Sequence, residues 1–266
     1  MGQLHMIPDW FHIDQSRELA EKWDAAFEYN DFFHMDLVDD EAMLSQRIQG
    51  YKEMNRDRSK DTLHGAFLDL CINSNDKKIA ELSKNRMRQS MEIAAKLQIR
   101  GVVFHTNFIA GFYIPNYLEK WLESNEAFYR QLCKEYQGID IYMENMFDAN
   151  PDTLVRLAKN MKDVENFGVC FDVAHGNVSN TSMEEWFVRL APYIKHLHIN
   201  DNDGKADLHL PVGKGAIDWL KYQKLMEQYD VKGSVLVEVS SYEATQESFV
   251  YMKERGIDPF YGGRNL

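Results

Sequence analysis

Cysteine is scarce in this chain. Cys71, Cys133 and Cys170 are scattered through 266 residues at no paired spacing. That excludes a disulfide framework and fits a reduced, cytoplasmic protein. Long hydrophobic runs are missing too: nothing approaches the roughly 20 apolar residues of a membrane span. The N-terminal stretch MGQLHMIPDWFHIDQ lacks a basic-then-apolar secretory pattern. Basic residues are outnumbered, with 30 Lys and Arg against 42 Asp and Glu, a formal net charge of −12. A field of that sign repels phosphate backbones, which disfavours general nucleic-acid binding. The 15 glycines and 6 prolines do not cluster into a linker, and no low-complexity segment or sequence repeat is visible. One domain over residues 1–266 is therefore expected.

What is present is ample core material, 44% hydrophobic residues, arranged in a recurring pattern. A short β-rich run is followed by an amphipathic stretch dense in Glu, Lys, Leu and Met. The clearest β runs are Gly101–His105, Ile139–Glu144, Phe167–Asp172, Ile194–Ile199 and Val235–Val239; weaker ones are Leu4–Ile7, Ala25–Tyr29 and Thr62–Phe67. Helical stretches include Lys77–Leu97, Trp121–Tyr136, Pro151–Asn160, Met183–Leu190, Trp219–Tyr229 and Thr245–Arg255, with Asp152 and Ser182 as N-terminal caps for two of them. Eight such units in a chain of this length predict an α/β protein of the (β/α)8 barrel class. No G-x-G-x-x-G follows the first strand to support a dinucleotide-binding open sheet.

Strand parity places polar groups where they are costly. Leu197 and Ile199 share one face of their strand, and His196, His198 and Asn200 share the other. By the same alternation Asp172 and Glu238 lie opposite apolar faces, and His105 and Glu144 join them. These groups are predicted to project into the barrel near the carboxyl ends of their strands, where they need a metal, a substrate or a partner. The candidates His64, His105, Glu144, Asp172, His198 and Glu238 lie 41, 39, 28, 26 and 40 residues apart, about one βα unit each. A single inward His or Asp reads as an ordinary hydrogen-bonded core residue, but six in phase do not. Asp172-Val-Ala-His175 adds a donor at a strand-to-helix turn, and Asp207-Leu-His209 adds two more after the seventh strand. Mixed carboxylate and imidazole donors suit Zn²⁺, Mn²⁺ or Fe²⁺ better than Mg²⁺ or Ca²⁺.

Through VVFH, IYMEN, FDVAHGN, HLHINDNDG, DLHLPVGKGAIDW and LVEVS, from about His64 to Glu238, the chain resembles the xylose isomerase-like TIM-barrel superfamily. That superfamily holds sugar isomerases, epimerases and endonuclease IV. The Pro211–Trp219 motif resembles members described as sugar phosphate isomerases or epimerases. In the isomerase branch the resemblance implies four ligands for one metal: Glu144, Asp172, His198 and Glu238. In the endonuclease IV branch it implies nine ligands for three zinc ions: His64, His105, Glu144, Asp172, His175, His198, Asp207, His209 and Glu238, and every position is filled.

The departures are informative as well. Ketose 3-epimerases carry a second Glu six residues after the strand-five ligand and an Arg six after the strand-seven His; Asn150 and Gly204 stand there instead. In endonuclease IV an aromatic residue soon after the first His enters the DNA, whereas this stretch reads His64-Gly-Ala-Phe-Leu-Asp-Leu. The second-strand region is acidic, with Glu28, Asp31, Asp36, Asp39 and Asp40 and no Lys or Arg, the reverse of a phosphate-tracking loop.

The expected function is therefore a divalent-metal isomerase or epimerase of a small sugar or sugar phosphate. Glu144 and Glu238 would move the proton through an ene-diolate, and His175 would touch a substrate oxygen. Trp10, Phe67, Phe108, Phe112 and Tyr113 are candidate apolar walls, and Lys205 or Lys214 a candidate phosphate contact. The alternative is phosphoester hydrolysis by two or three metals. A degenerate barrel that only binds is the third and weakest reading, since every ligand position is filled.

Overall fold

Eight parallel strands, each leading into a helix on the outside, close on themselves in chain order, and the last pairs with the first. This computed structural model describes residues 2–112 and 116–260. The strands are β1 (Leu4–Met6), β2 (Ala25–Tyr29), β3 (Thr62–His64), β4 (Gly101–His105), β5 (Asp140–Glu144), β6 (Phe167–Asp172), β7 (Ile194–Ile199) and β8 (Ser234–Val237). The expected (β/α)8 barrel is the fold observed.

Alternation sorts the side chains. Phe27, Phe104, Met143, Phe171, Leu197 and Val237 face outward into one apolar core beneath the helices. Helix Lys77–Leu97 buries Met87, Met91, Ala94 and Leu97, spaced three or four apart so that they form one stripe. Its first turn is capped by Asp76, whose carboxylate accepts from the Lys78 N–H. Its end turns on Gln98 in the left-handed region.

Ser182 caps helix Met183–Leu190 as expected, accepting from the Glu185 N–H at 3.2 Å. Asp152 does not cap. It is the first residue of helix Asp152–Asn160, and its carboxylate is drawn off to Arg189 at 2.7 Å. Several ends also shift. β5 starts one residue late because the Ile139 N–H turns back to Tyr136. β3 stops at His64 because the Ala66 N–H is taken by the Ser90 hydroxyl. β8 ends at Val237, although the Glu238 N–H still donates to Ile199 at 2.9 Å, which holds Glu238 at the barrel rim. No helix among the described residues is long and apolar enough to cross a membrane.

Candidate metal centre at the mouth of the barrel

Register brings the polar residues to one height. His105 lies beside Glu144, and Asp172 lies beside His198, all at the carboxyl ends of their strands. All nine expected donors converge, in three groups whose donor atoms lie within 4.8 Å of one another. Glu144, Asp172, His198 and Glu238 form the first. His64, His105 and Glu144 form the second, so Glu144 belongs to both. His175, Asp207 and His209 form the third. Across the cluster, His198 Nδ1 is 3.3 Å from Glu144 Oε2 and 3.4 Å from Glu238 Oε2, and His105 Nε2 is 3.2 Å from Glu144 Oε2. His209 Nε2 is 3.0 Å and His175 Nε2 3.3 Å from the same Asp207 oxygen.

Local structure explains two of these placements. Asp172 caps the short helix Val173–Val178, its Oδ1 accepting from the His175 N–H at 2.6 Å. The cap swings His175 over the cluster and leaves Oδ2 facing the donors. The Asp207–His209 loop is anchored by Asp201, a buried carboxylate. It accepts from the N–H groups of Asn202, Gly213 and Ile217 and from the Trp219 indole. This network accounts for the glycine motif: Gly213 has φ +88, and a Cβ on Gly215 would fall 2.3 Å from the Asn202 carbonyl oxygen. His209 itself sits at φ +47, a conformation that costs about 1–3 kcal/mol for a side-chain-bearing residue and that turns Nε2 onto Asp207.

The ring nitrogens are sorted. His64 Nδ1 donates to the Gly65 carbonyl, His175 Nδ1 to Asn145 and His209 Nδ1 to Glu238, which leaves each Nε2 for the cluster. His198 is reversed, with Nε2 toward Glu28 and Nδ1 toward the donors. Such fixing of one nitrogen by an acceptor is what presents the other to a metal. Glu144 Oε1 and Oε2, Asp172 Oδ2, both ring nitrogens of His198, Asp207 Oδ1 and Glu238 Oε2 are all buried without a hydrogen-bond partner. Each such atom costs about 1–3 kcal/mol. Their convergence fits divalent cations.

The electrostatics agree. Burial lifts the Asp172 carboxyl to about 7, with Glu144 and Glu238 adding to the rise against the pull of His175. Burial would lower His209, but Asp207 and Glu238 outweigh it and carry the imidazole to about 10.

Above the donors opens a cavity of about 390 Å³. His64, His105, His175, Asp207, His209 and Glu238 face it, and its walls include Phe33, Phe67, Leu68 and Phe147. Among the described residues neither Lys nor Arg lines it. Lys214 pairs with Glu247, and Lys205 is exposed away from the cavity, so neither takes the expected phosphate-contact position. Of the aromatic residues expected as walls, Phe67 alone lines it among those described. Trp10 packs on Tyr51, and Phe108 and Phe112 pack on Tyr117. Tyr113 lies outside the described residues. Phe67 rests on the His64 and His105 rings, with centroids 5.0 and 4.5 Å away.

The profile of the xylose isomerase-like TIM barrel family matches residues 18–255. The chain belongs to this family. Among curated proteins it is similar to the uncharacterized protein MJ1311 of Methanocaldococcus jannaschii, 27% identical over 72% of this chain and 68% of that one. Among solved structures it is similar to the TTHB071 protein of Thermus thermophilus soaked with ZnCl2. The TM-score there is 0.75 at 22% identity, over 96% of this chain and 97% of that one. It is also similar to a D-tagatose 3-epimerase-like protein, with TM-score 0.73 and 22% identity over 94% and 96% of the two chains. At these identities the structural likeness establishes the fold.

In this xylose isomerase-like barrel, sequence reasoning passes over three buried polar residues near the donors. Glu28 reads in the sequence only as part of an acidic stretch, yet it is 0% exposed and abuts His198. Its parity on β2 carries the signal. Asn145 clamps Asp172, donating to its carbonyl and accepting from its N–H, both at 2.9 Å. Asp201 sits one residue past Asn200 and gives no periodic signal. His196, on the inward face of β7 but outside the expected donor set, bonds Ser234 and Glu28 and stacks on Tyr142.

Proposed function

We propose that the protein is a divalent-metal-dependent hydrolase of a small phosphoester, with up to three ions held by the nine donors. The observation that carries this reading is the sharing of Glu144 between two donor groups, with a third group beside them. A one-metal enzyme needs only Glu144, Asp172, His198 and Glu238 for its ion and His175 for the substrate, which leaves the four converging donors His64, His105, Asp207 and His209 without a task. Bound divalent ions would supply Lewis acidity, lower the pKa of water and offset charge on the leaving oxygen.

The chain's own residues do the rest. Glu238 lines the cavity beside the donors, so with Oε2 turned to the metal group its other carboxylate oxygen is placed to accept a proton from an attacking water. Glu144 lies beneath, off the cavity wall, and serves to bind. Phe33, Phe67, Leu68 and Phe147 exclude bulk water and set a small-molecule size limit. The acidic stretch over Asp36–Glu41, in the connection from β2 to the helix Glu41–Glu53, opposes a nucleic-acid substrate.

The expected sugar isomerase or epimerase is the second reading. It is supported by Glu144 and Glu238 flanking His198 Nδ1 within 3.4 Å, and by the epimerase-like neighbour. Protein purified without chelators separates the two by metal per chain and turnover. The hydrolase reading expects two or three ions and release of phosphate or alcohol from an aryl phosphoester panel. One ion with turnover of ketoses or sugar phosphates would replace it with the isomerase.

A further inference from the structure

Beneath the donor groups, inside the barrel, lies a buried carboxylate that belongs to none of them. Glu28 on β2 is fully enclosed, and its contacts are specific. The Thr62 hydroxyl donates to Oε2 at 2.6 Å, His196 Nε2 lies 3.0 Å from the same oxygen, and His198 Nε2 lies 3.0 Å from Oε1. His196 is held from its other side, with Nδ1 2.6 Å from the Ser234 hydroxyl, and its ring stacks on Tyr142. A carboxylate in the centre of a barrel is expensive, and here Thr62 and His196 hold one of its oxygens while the other faces His198.

The geometry points to Glu28 as the positioning residue of the Glu144–Asp172–His198–Glu238 group, an inference that rests on the metal reading above. Nε2 of His198 faces Glu28 Oε1 in a 3.0 Å charge contact that is off hydrogen-bond alignment, which leaves Nδ1 as the nitrogen that faces Glu144 and Glu238. Thr62 and His196 set the carboxylate, the carboxylate sets the ring, and the ring presents one lone pair to the metal. Carboxylate–imidazole pairs of this kind raise ligand basicity and fix the tautomer. Cys170, His196 and His198 also lie close enough to suggest a deeper metal site. His196 has no nitrogen left for it, since Ser234 and Glu28 take both, so His196 supports and does not ligate.

The test is zinc affinity, measured by competition with a chromophoric chelator on stripped protein, for wild type, Glu28→Gln, Glu28→Asp and Thr62→Val. It is combined with ¹H–¹⁵N spectra of the zinc-loaded histidine rings. Glu28→Gln is expected to weaken one zinc equivalent about 10–100-fold while leaving the others, and to expose the protected His198 Nε2–H to solvent exchange. Glu28→Asp should recover part of both effects, which a purely structural role would not produce. Wild-type affinity together with an unchanged His198 signal in Glu28→Gln overturns the inference and leaves the metal reading standing. Should Glu28→Gln fail to fold, Thr62→Val decides, because it keeps the carboxylate and removes the bond that aims it; unchanged zinc affinity there also overturns the inference. A wild-type chain that takes up no zinc brings down the metal reading, and this inference with it.

Discussion

Outward from the strands, Phe27, Phe104, Met143, Phe171, Leu197 and Val235 pack against helices in a dry apolar layer. Inward from the barrel strands stand His5, Glu28, Thr62, Tyr142, Glu144, His196 and His198, equally buried. The outer layer gains stability from area removed from water, about 25 cal/mol per Å², and is indifferent to pH and metal. The inner column gains nothing from area. It is a set of polar groups whose desolvation is offset in part by each other's hydrogen bonds, and at the mouth several buried polar atoms are left without a partner. Most (β/α)8 interiors are filled by branched apolar side chains. Here Val103 and Leu236 are among the few inward residues of that kind, and the polar column replaces the rest.

Substitution should separate the two regions sharply. Glu144→Gln removes the donor common to two groups and is expected to reduce turnover by about 10³-fold or more, with loss of more than one ion per chain. His105→Ala is expected to lose one ion and about 10²-fold in turnover while the first group keeps its four donors. Elemental analysis beside kinetics reads both, and retention of full stoichiometry in Glu144→Gln would remove the shared-ligand argument. On the outer layer, Phe171→Ala is expected to cost about 3–5 kcal/mol in denaturant unfolding without changing metal per folded chain. If metal content falls as steeply as stability, the two regions are not independent.

A pH titration of the metal-free protein probes the column away from the donors. His5 is held at about 4 instead of 6.5, chiefly by burial and then by the neighbouring His196. Below pH 6.5 the unfolded chain takes up a proton that the folded chain refuses. His5 therefore contributes a falling slope, a loss of about 3 kcal/mol from pH 6.5 toward 4, opposed over the same window by Asp172, whose carboxyl at about 7 takes up its proton first in the folded chain. His5→Gln should remove that contribution, and an unchanged slope would assign it to other groups. The smallest effect belongs to a helix end: Ser182→Ala should cost about 1 kcal/mol. Asp152→Ala, which removes only the exposed pair with Arg189, should cost about 0.5 kcal/mol or less. Equal losses would restore Asp152 as a cap.

Much of the barrel is legible in the sequence because a strand's period of two and a helix's period of 3.6 are written in residue order. Phe167–Asp172 and Ile194–Ile199 have their expected bounds, as do the helices Lys77–Leu97 and Met183–Leu190. The ends that slip are those where a competing partner takes the backbone or the cap, as Ser90 does at β3 and Arg189 does from Asp152. Such partners lie 24 and 37 residues away and leave no local trace. All nine donors follow from residue type, parity and resemblance. Most walls of the cavity do not, because Phe33 ends a single 3-10 turn and Phe147 sits in a loop, and no periodicity specifies the direction of either.

The sequence by itself therefore determined which side chains leave each strand inward, since alternation depends only on the chain's own geometry. It also determined that carboxylates and imidazoles would recur once per βα unit. The tertiary structure alone decided how those donors are grouped. Only closure of the sheet, with its register between β4 and β7, makes Glu144 common to two groups and places Glu28 behind His198. Distances across a barrel depend on stagger between strands far apart in the chain, and residue order does not encode that stagger one strand at a time.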